Sequence, residues 1–196
     1  PQLPPPGRRL AYARHLTSGR HPLVARVLVN RIWMHHFGRG LVGSPSDFGK
    51  LGERPTHPEL LDWLSTELLR SEWSLKHIHR LIVTSRTYRQ SSRVSGEHLE
   101  QDPGNRYFAR APRMRMSAEM VRDSALAASG LLVHRMHGPP IYPPQPNGIW
   151  RHVGRNAPKF VAAKDENRFR RGVYVVWRRG APYASFVNFD APDRGA

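Results

Sequence analysis

Asn30, Arg31, His35 and His36 fall within seven positions of one another, and Asp47 and then His57 follow. These are residue types that do chemistry together. An imidazole carries protons near neutral pH, a carboxylate takes a proton or a cation, and an Asn or Arg orients a carbonyl or an oxyanion. Brought into one pocket, the group would support general acid/base or metal-assisted hydrolysis, with His36, Asp47 and His57 as the metal ligands. A plainer outcome competes with this at each position. Neighbouring residues on a helix point about 100° apart, so His35 and His36 do not both line one small site. One of them is expected over the last carbonyls of its helix, where the dipole favours a cationic ring, and the other in solvent. Asp47 is expected to bond its own turn, with Arg39 or Arg54 as an ion partner.

The elements that must position these groups follow from apolar spacing. Val24, Val27, Leu28 and Ile32 mark one face of a helix over about 22–37, ended by Gly38 or Gly40 in the left-handed conformation. A proline-rich linker, 1–7, and a short helix, 8–17, precede it. The glycine-punctuated stretch 38–55 fits neither dinucleotide nor P-loop spacing and is expected as tight turns. Thr56-His57-Pro58-Glu59 has the form of a capping box, opening a helix whose stripe is Leu60, Leu61, Leu64 and Leu68. His57 in that first turn is expected neutral. Ser74 caps a helix running to about Arg89 with Leu75, Ile78, Leu81 and Ile82 inward, which sends His77 and His79 about 200° apart and unable to share a metal. A polar loop over 91–104, helical pieces over 106–110 and 117–129 with a stop at Gly130, a proline-rich crossing from 138 and a strand over 171–180 complete the chain. The strand's partner is expected from 157–162, the tail, or sequence beyond this chain.

The fold class is therefore mainly α, a bundle-like core of about five helices with a small β element near the C-terminus. One domain over 8–196 is expected, helical over 8–135 and proline-rich with the β element over 136–196.

Composition narrows the functions. With no cysteine among 196 residues, disulfides, thiolate catalysis and covalent haem attachment within the chain are excluded. No apolar run approaches the length of a membrane span. The formal charge of +16 points towards polyanions, but 27 of the 31 basic residues are arginines scattered from Arg8 to Arg194 rather than gathered in a stripe. Nucleic-acid binding is therefore not the favoured function, and bidentate arginine–carboxylate pairing inside the fold is an equal use for such residues.

Asn-Arg-Ile-Trp at 30–33, His-His-Phe-Gly-Arg-Gly at 35–40, Pro-Ser-Asp-Phe-Gly at 45–49 and Thr-His-Pro-Glu-Leu-Leu-Asp-Trp-Leu at 56–64 form a recurring pattern. So do Leu-Ile-Val-Thr-Ser-Arg-Thr-Tyr-Arg-Gln-Ser at 81–91, Tyr-Pro-Pro-Gln-Pro at 142–146 and Phe-Asp-Ala-Pro-Asp at 189–193. Together they resemble the planctomycete-type domain of unknown function 1553. The resemblance implies the C-terminal part of a large exported protein, located outside the cytoplasm, periplasmic or exported. Its partners would be upstream domains of the same polypeptide, including a cytochrome-c-like one. It implies c-type haem upstream and no cofactor within this chain, and it carries over no catalytic role. It also implies further helical sequence beyond Asp193, so the chain reads as a C-terminally truncated fragment. The expected function is a module that supports or recognises a protein or carbohydrate partner or a substrate. The alternatives are an enzyme domain built on His35 or His36, Asp47 and His57, and polyanion binding by the arginine-rich surface.

Overall fold

The computed structural model describes residues 5–152, 160–178, 180–189 and 191. The fold is mainly helical, as expected. The α-helices among the described residues are α1 (Pro5–Thr17), α2 (Val24–Phe37), α3 (Pro58–Arg70), α4 (Leu75–Thr84), α5 (Arg86–Arg89), α6 (Gly96–Gln101), α7 (Ala118–Ala128) and α8 (Ala184–Val187). They fall into two compact units, 1–114 and 115–196, so α7 groups with the C-terminal segments rather than with the earlier helices.

In the first unit α2 is the central element. Ala25, Val29, Ile32, Trp33 and Phe37 are buried with Leu61, Leu64 and Leu68 of α3, Ile78 and Ile82 of α4, and Leu41, Val42 and Phe108 from connecting segments. Each fully buried aliphatic or aromatic side chain of this kind contributes about 1.5–3 kcal/mol. Amphipathic spacing is thus what brings α2, α3 and α4 together. By contrast, α1 leaves Leu10 and Tyr12 exposed.

Gly38 ends α2 at φ 74°, its N–H bonded to the carbonyl of Met34. A Cβ there would also lie 2.9 Å from the sulfur of Met114. Gly38→Ala is therefore expected to cost about 1–2 kcal/mol through the left-handed backbone and the displaced Met114. Denaturant unfolding of the two proteins side by side measures it.

The corner from α3 into α4 is a Schellman closure built without glycine. Trp73 N–H donates to Leu68 O at 2.8 Å and Glu72 N–H to Leu69 O at 3.1 Å, with both residues at positive φ. Ser74 then caps α4 as expected, accepting from His77 N–H. The helix expected to run on to Arg89 instead breaks at Ser85. There the backbone is extended and the hydroxyl donates to Ile82 O while accepting from Tyr88 N–H, replacing the ladder bonds and starting α5. Leu75, expected inward, is 46 % exposed.

The capping box at α3 is not formed. His57 occupies the cap position without a side-chain cap bond, and the Thr56 hydroxyl is turned to the carbonyl of Leu41. Pro58 at the helix start needs no N–H partner, which removes part of the demand a box would meet. Two loop expectations also change. Residues 96–101 form α6, capped by Ser95. The expected helix over 106–110 is irregular, because Asn105 and Phe108 adopt positive φ.

In the second unit Ala118 of α7, Ile141, Val175 and Phe186 of α8 form the core. Among the described residues of 171–180 the expected strand does not form. Gly172–Tyr174 make a 3₁₀ turn and Val175 a single parallel bridge to Ile141, with a second isolated bridge between Val133 and Arg170. The cause lies on α7: Asp123 accepts from the Gly172 N–H and from Arg171, pinning the segment into a turn. At Gly172 even a Cβ would meet the Glu119 backbone at 2.8 Å. Of α7 itself Ala118 is the buried residue, while Ala125, Ala128 and Met120 are exposed. Asp123 is ion-paired with Arg171. The partner segment 157–162 and the motif ending at Asp193 lie partly outside the described residues, as does most of the linker 1–7.

Candidate functional site

Asn30 is fully buried and closes a two-bond clamp on one residue: its Nδ2 donates to Val42 O at 3.1 Å and its Oδ1 accepts from Val42 N–H at 2.9 Å. The chain leaves α2 through Gly40, where a Cβ would stand 2.7 Å from the Asn30 amide. Both hydrogen-bonding ends of Asn30 thus face the backbone, which makes it a positioning residue for the segment after α2. Arg31 and His35 are exposed on α2.

His36 turns away from the helix carbonyls and towards α4. Its Nε2 lies 2.8 Å from Nδ1 of His79, and the Tyr88 ring meets it edge-on at 5.5 Å. The expected divergence of His77 and His79 holds, and His77 reaches Glu67 instead. Burial lowers the His36 pKa, and the neighbouring His79 and His35 lower it further. The ring is thus more easily kept neutral, opposite to the cationic cap expected at a helix C-terminus.

Asp47 is exposed, and its carboxylate accepts from the Gly49 N–H at 2.8 Å, the Asx turn expected for it. Arg39 pairs with Glu53 rather than with Asp47. His57 Nδ1 lies 2.9 Å from the Thr56 hydroxyl, which donates to Leu41 O. The contact to His57 is the shorter of the two, and which partner donates in it follows from the His57 tautomer. Activation of the hydroxyl as a nucleophile requires His57 to accept from it. Among the described residues no three His, Asp or Glu gather into a metal-holding group, and His36, Asp47 and His57 sit in separate hydrogen-bonded settings.

A feature that sequence spacing did not point to lies at the end of α2. Arg39, Arg110 and Arg113 line a cavity of about 530 Å³ together with Phe37, Leu99 and Met114. The loop 102–110 that carries Arg110 is tightly tied. Asp102 accepts from the N–H groups of Arg106 and Tyr107, the Asn105 side chain bridges both backbone groups of Arg110, and Gln90 donates to Phe108 O. Arg110 itself donates to the carbonyls of Asp102 and Pro103. Phe108, at φ 54°, places its ring against Trp33, Phe37 and His57. A bulky residue in that region costs on the order of 1–3 kcal/mol, and such strain concentrates at functional sites. Desolvation pushes the Asp102 carboxyl up, but the Tyr107 and Arg106 N–H groups with Arg110 and Arg39 outweigh it and hold its pKa below the usual carboxylate range.

A family model described as PSD1, protein of unknown function (DUF1553), matches residues 8–196. The chain belongs to this family. Neither the curated proteins nor the solved structures contain a match. No helix among the described residues of this DUF1553 chain is long and apolar enough to cross a membrane.

The DUF1553 chain's His36 gives a direct titration test. By histidine NMR its midpoint is expected below the ordinary imidazole value of about 6.5, moving back towards it in His79→Ala. Because the folded pKa is the lower one, the unfolded state binds more protons between the two values. This imidazole's contribution to stability is therefore complete above about pH 6.5 and falls as pH drops towards the folded pKa. A midpoint at or above the ordinary value contradicts the burial described for this ring.

Proposed function

We propose that this DUF1553 chain is a recognition module of a larger exported, cytochrome-associated protein of planctomycete type, acting outside the cytoplasm. Its binding site is the arginine-lined cavity at the end of α2, and the ligand is a carboxylate carried on an apolar body. The observation that carries this is the cavity itself: Arg39, paired with Glu53, Arg110, bonded to the Asp102 and Pro103 carbonyls, and Arg113 share its lining with Phe37, Leu99 and Met114, in a volume typical of small-ligand sites. Guanidinium groups suit carboxylates because their forked donors match the two oxygens. The ties that hold loop 102–110 set Arg110 in place before any ligand arrives, which lowers the ordering cost of binding.

Recognition is favoured over hydrolysis because Asn30 and Asp47 are engaged with backbone and His36, Asp47 and His57 stand in separate hydrogen-bonded settings. It is favoured over polyanion binding because many arginines serve the fold. Away from the cavity, Arg26, Arg70, Arg135 and Arg171 pair with carboxylates, and Arg122 and Arg170 bond backbone carbonyls.

Cinnamate serves as the probe in calorimetry and NMR on the full chain. Binding is expected to perturb the residues around Phe37, Leu99 and Met114. Arg110→Gln is expected to weaken it about tenfold to a hundredfold, the value of one charge-assisted bond. Arg113, exposed at the rim, supplies a second variant, Arg113→Gln, that leaves the 102–110 ties intact and should also weaken binding. Absence of binding at millimolar cinnamate, or binding indifferent to both substitutions, overturns the proposal.

A further inference from the structure

The spacing His77-x-His79 offers no shared metal on a helix, yet the fold gives His79 a different imidazole partner. We propose that His36 of α2 and His79 of α4 form a two-imidazole site for a divalent transition-metal cation of the copper or zinc class.

Their facing nitrogens, Nε2 of His36 and Nδ1 of His79, are 2.8 Å apart. A hydrogen bond between two neutral imidazoles holds one proton between two lone pairs aimed at one locus. A cation placed there at about 2.0–2.1 Å from each nitrogen, with tetrahedral angles, needs the nitrogens about 3.3 Å apart. The required change is thus about half an ångström in separation, together with a tilt of each ring by about 35° so that its lone pair points at the ion instead of at the other nitrogen. The proton balance also works: the ring that had donated moves its proton to its far nitrogen, so both rings stay neutral and no proton need be released. The far nitrogens are Nδ1 of His36 and Nε2 of His79.

The surroundings suit a bound ion. His36 is half-buried, with Tyr88 edge-on at 5.5 Å, which fixes one ligand, while His79 is exposed and leaves the ion an entry path. The lowered His36 pKa keeps its lone pair available at neutral pH. No third His, Asp or Glu joins the pair among the described residues, so the remaining coordination positions fall to water or an incoming ligand. Such a site is open, and copper should bind more tightly than zinc by the general order for nitrogen ligands. Magnesium, which demands oxygen ligands, should not bind.

The test adds Cu²⁺, Zn²⁺ or Mg²⁺ to the full chain in a non-chelating buffer. The expected result is one equivalent of Cu²⁺ whose electron paramagnetic resonance shows two coupled imidazole nitrogens. Zn²⁺ should shift the His36 and His79 ring resonances together, and Mg²⁺ should do nothing. His79→Ala removes an exposed side chain and should abolish the two-nitrogen signal while the fold persists by circular dichroism. His21→Ala, which alters the separate His15–His21 ring contact, should leave it unchanged. If Cu²⁺ and Zn²⁺ leave both rings unshifted, or the signal survives His79→Ala, the pair is only an interhelical hydrogen bond and the proposal fails.

Discussion

Asn30→Ala is expected to destabilise the first unit by about 3 kcal/mol, because it strips both partners from the buried N–H and C=O of Val42. Each buried group left unsatisfied costs about 1–3 kcal/mol, and the lost amide volume adds to this. Packing around the clamp is tight, since Gly40 already approaches the amide too closely to accept a methyl group. Leucine at this position fills the volume but restores neither bond, so Asn30→Leu should be nearly as damaging. Asn30→Asp separates the two halves of the clamp. Its carboxylate still accepts from Val42 N–H but opposes Val42 O across what was a donor bond. Burial should raise that Asp above its unfolded pKa, so its favourable state is the protonated one, fully populated below the unfolded value and lost as pH rises through the folded value. The Asp variant should therefore recover, relative to wild type, as pH falls towards about 4. Denaturant unfolding of the three variants at neutral and acidic pH decides this. A loss under about 0.5 kcal/mol for Asn30→Ala, the scale of an ordinary surface change, shows that Val42 finds other partners.

The contrast between Asn30 and His79 shows what was legible in the sequence. Apolar periodicity located α3 and α4 because burying one face is a local property of the spacing, and Leu61, Leu64, Leu68, Ile78 and Ile82 are buried as expected. On α2 only Ile32 of the expected stripe is buried, and Ala25, Val29, Trp33 and Phe37 take the places expected for Val24, Val27 and Leu28. Local hydrogen-bond chemistry also carried through where it had no rival: Ser74 caps α4 and Gly38 closes α2. It failed at Thr56 and over 171–180, where a longer-range partner competes. The Leu41 carbonyl claims the threonine hydroxyl, and Asp123 captures the Gly172 N–H before a strand can form. For the same reason the density of polar residues at 30–36 was a real signal whose meaning was not local. Asn30 serves the segment at Val42, His36 serves α4, and the cavity arginines come from positions 39, 110 and 113, joined only by the fold. Nothing in the spacing of Arg110 and Arg113 announces a cavity. Arg106, Arg110 and Arg113 follow the polar stretch 91–104, which is also what a solvated loop looks like.

Arg170→Met is expected to remove about 3 kcal/mol or more from the second unit, through three carbonyls that lose a buried donor. Arg170 is 1 % exposed, and no carboxylate is among its described contacts. Its guanidinium instead donates to Arg135 O, His137 O and Pro139 O, and lies 4.0 Å above the Tyr174 ring. The turn 135–139 is wound around this cation, with His137 and Gly138 both at positive φ. An arginine cannot shed its charge to escape burial, so carbonyl dipoles and the ring face must replace the water it has lost. That makes the arrangement hard to substitute. Lysine keeps the charge but presents it as a point on a shorter fork-less stem, so Arg170→Lys should still cost more than about 1 kcal/mol. In a unit of this size a 3 kcal/mol loss lowers the thermal midpoint by more than about 10 °C. Hydrogen exchange locates the damage. The Val133 N–H, bonded to Phe169 O, and the Ile141 N–H, bonded to Tyr174 O, should lose protection together. The α2 and α3 amides should keep theirs, because the loss is confined to the second unit. Full retention of protection at Val133 and Ile141 in Arg170→Met would mean that the turn is held by its own backbone, with the cation merely filling the space inside it.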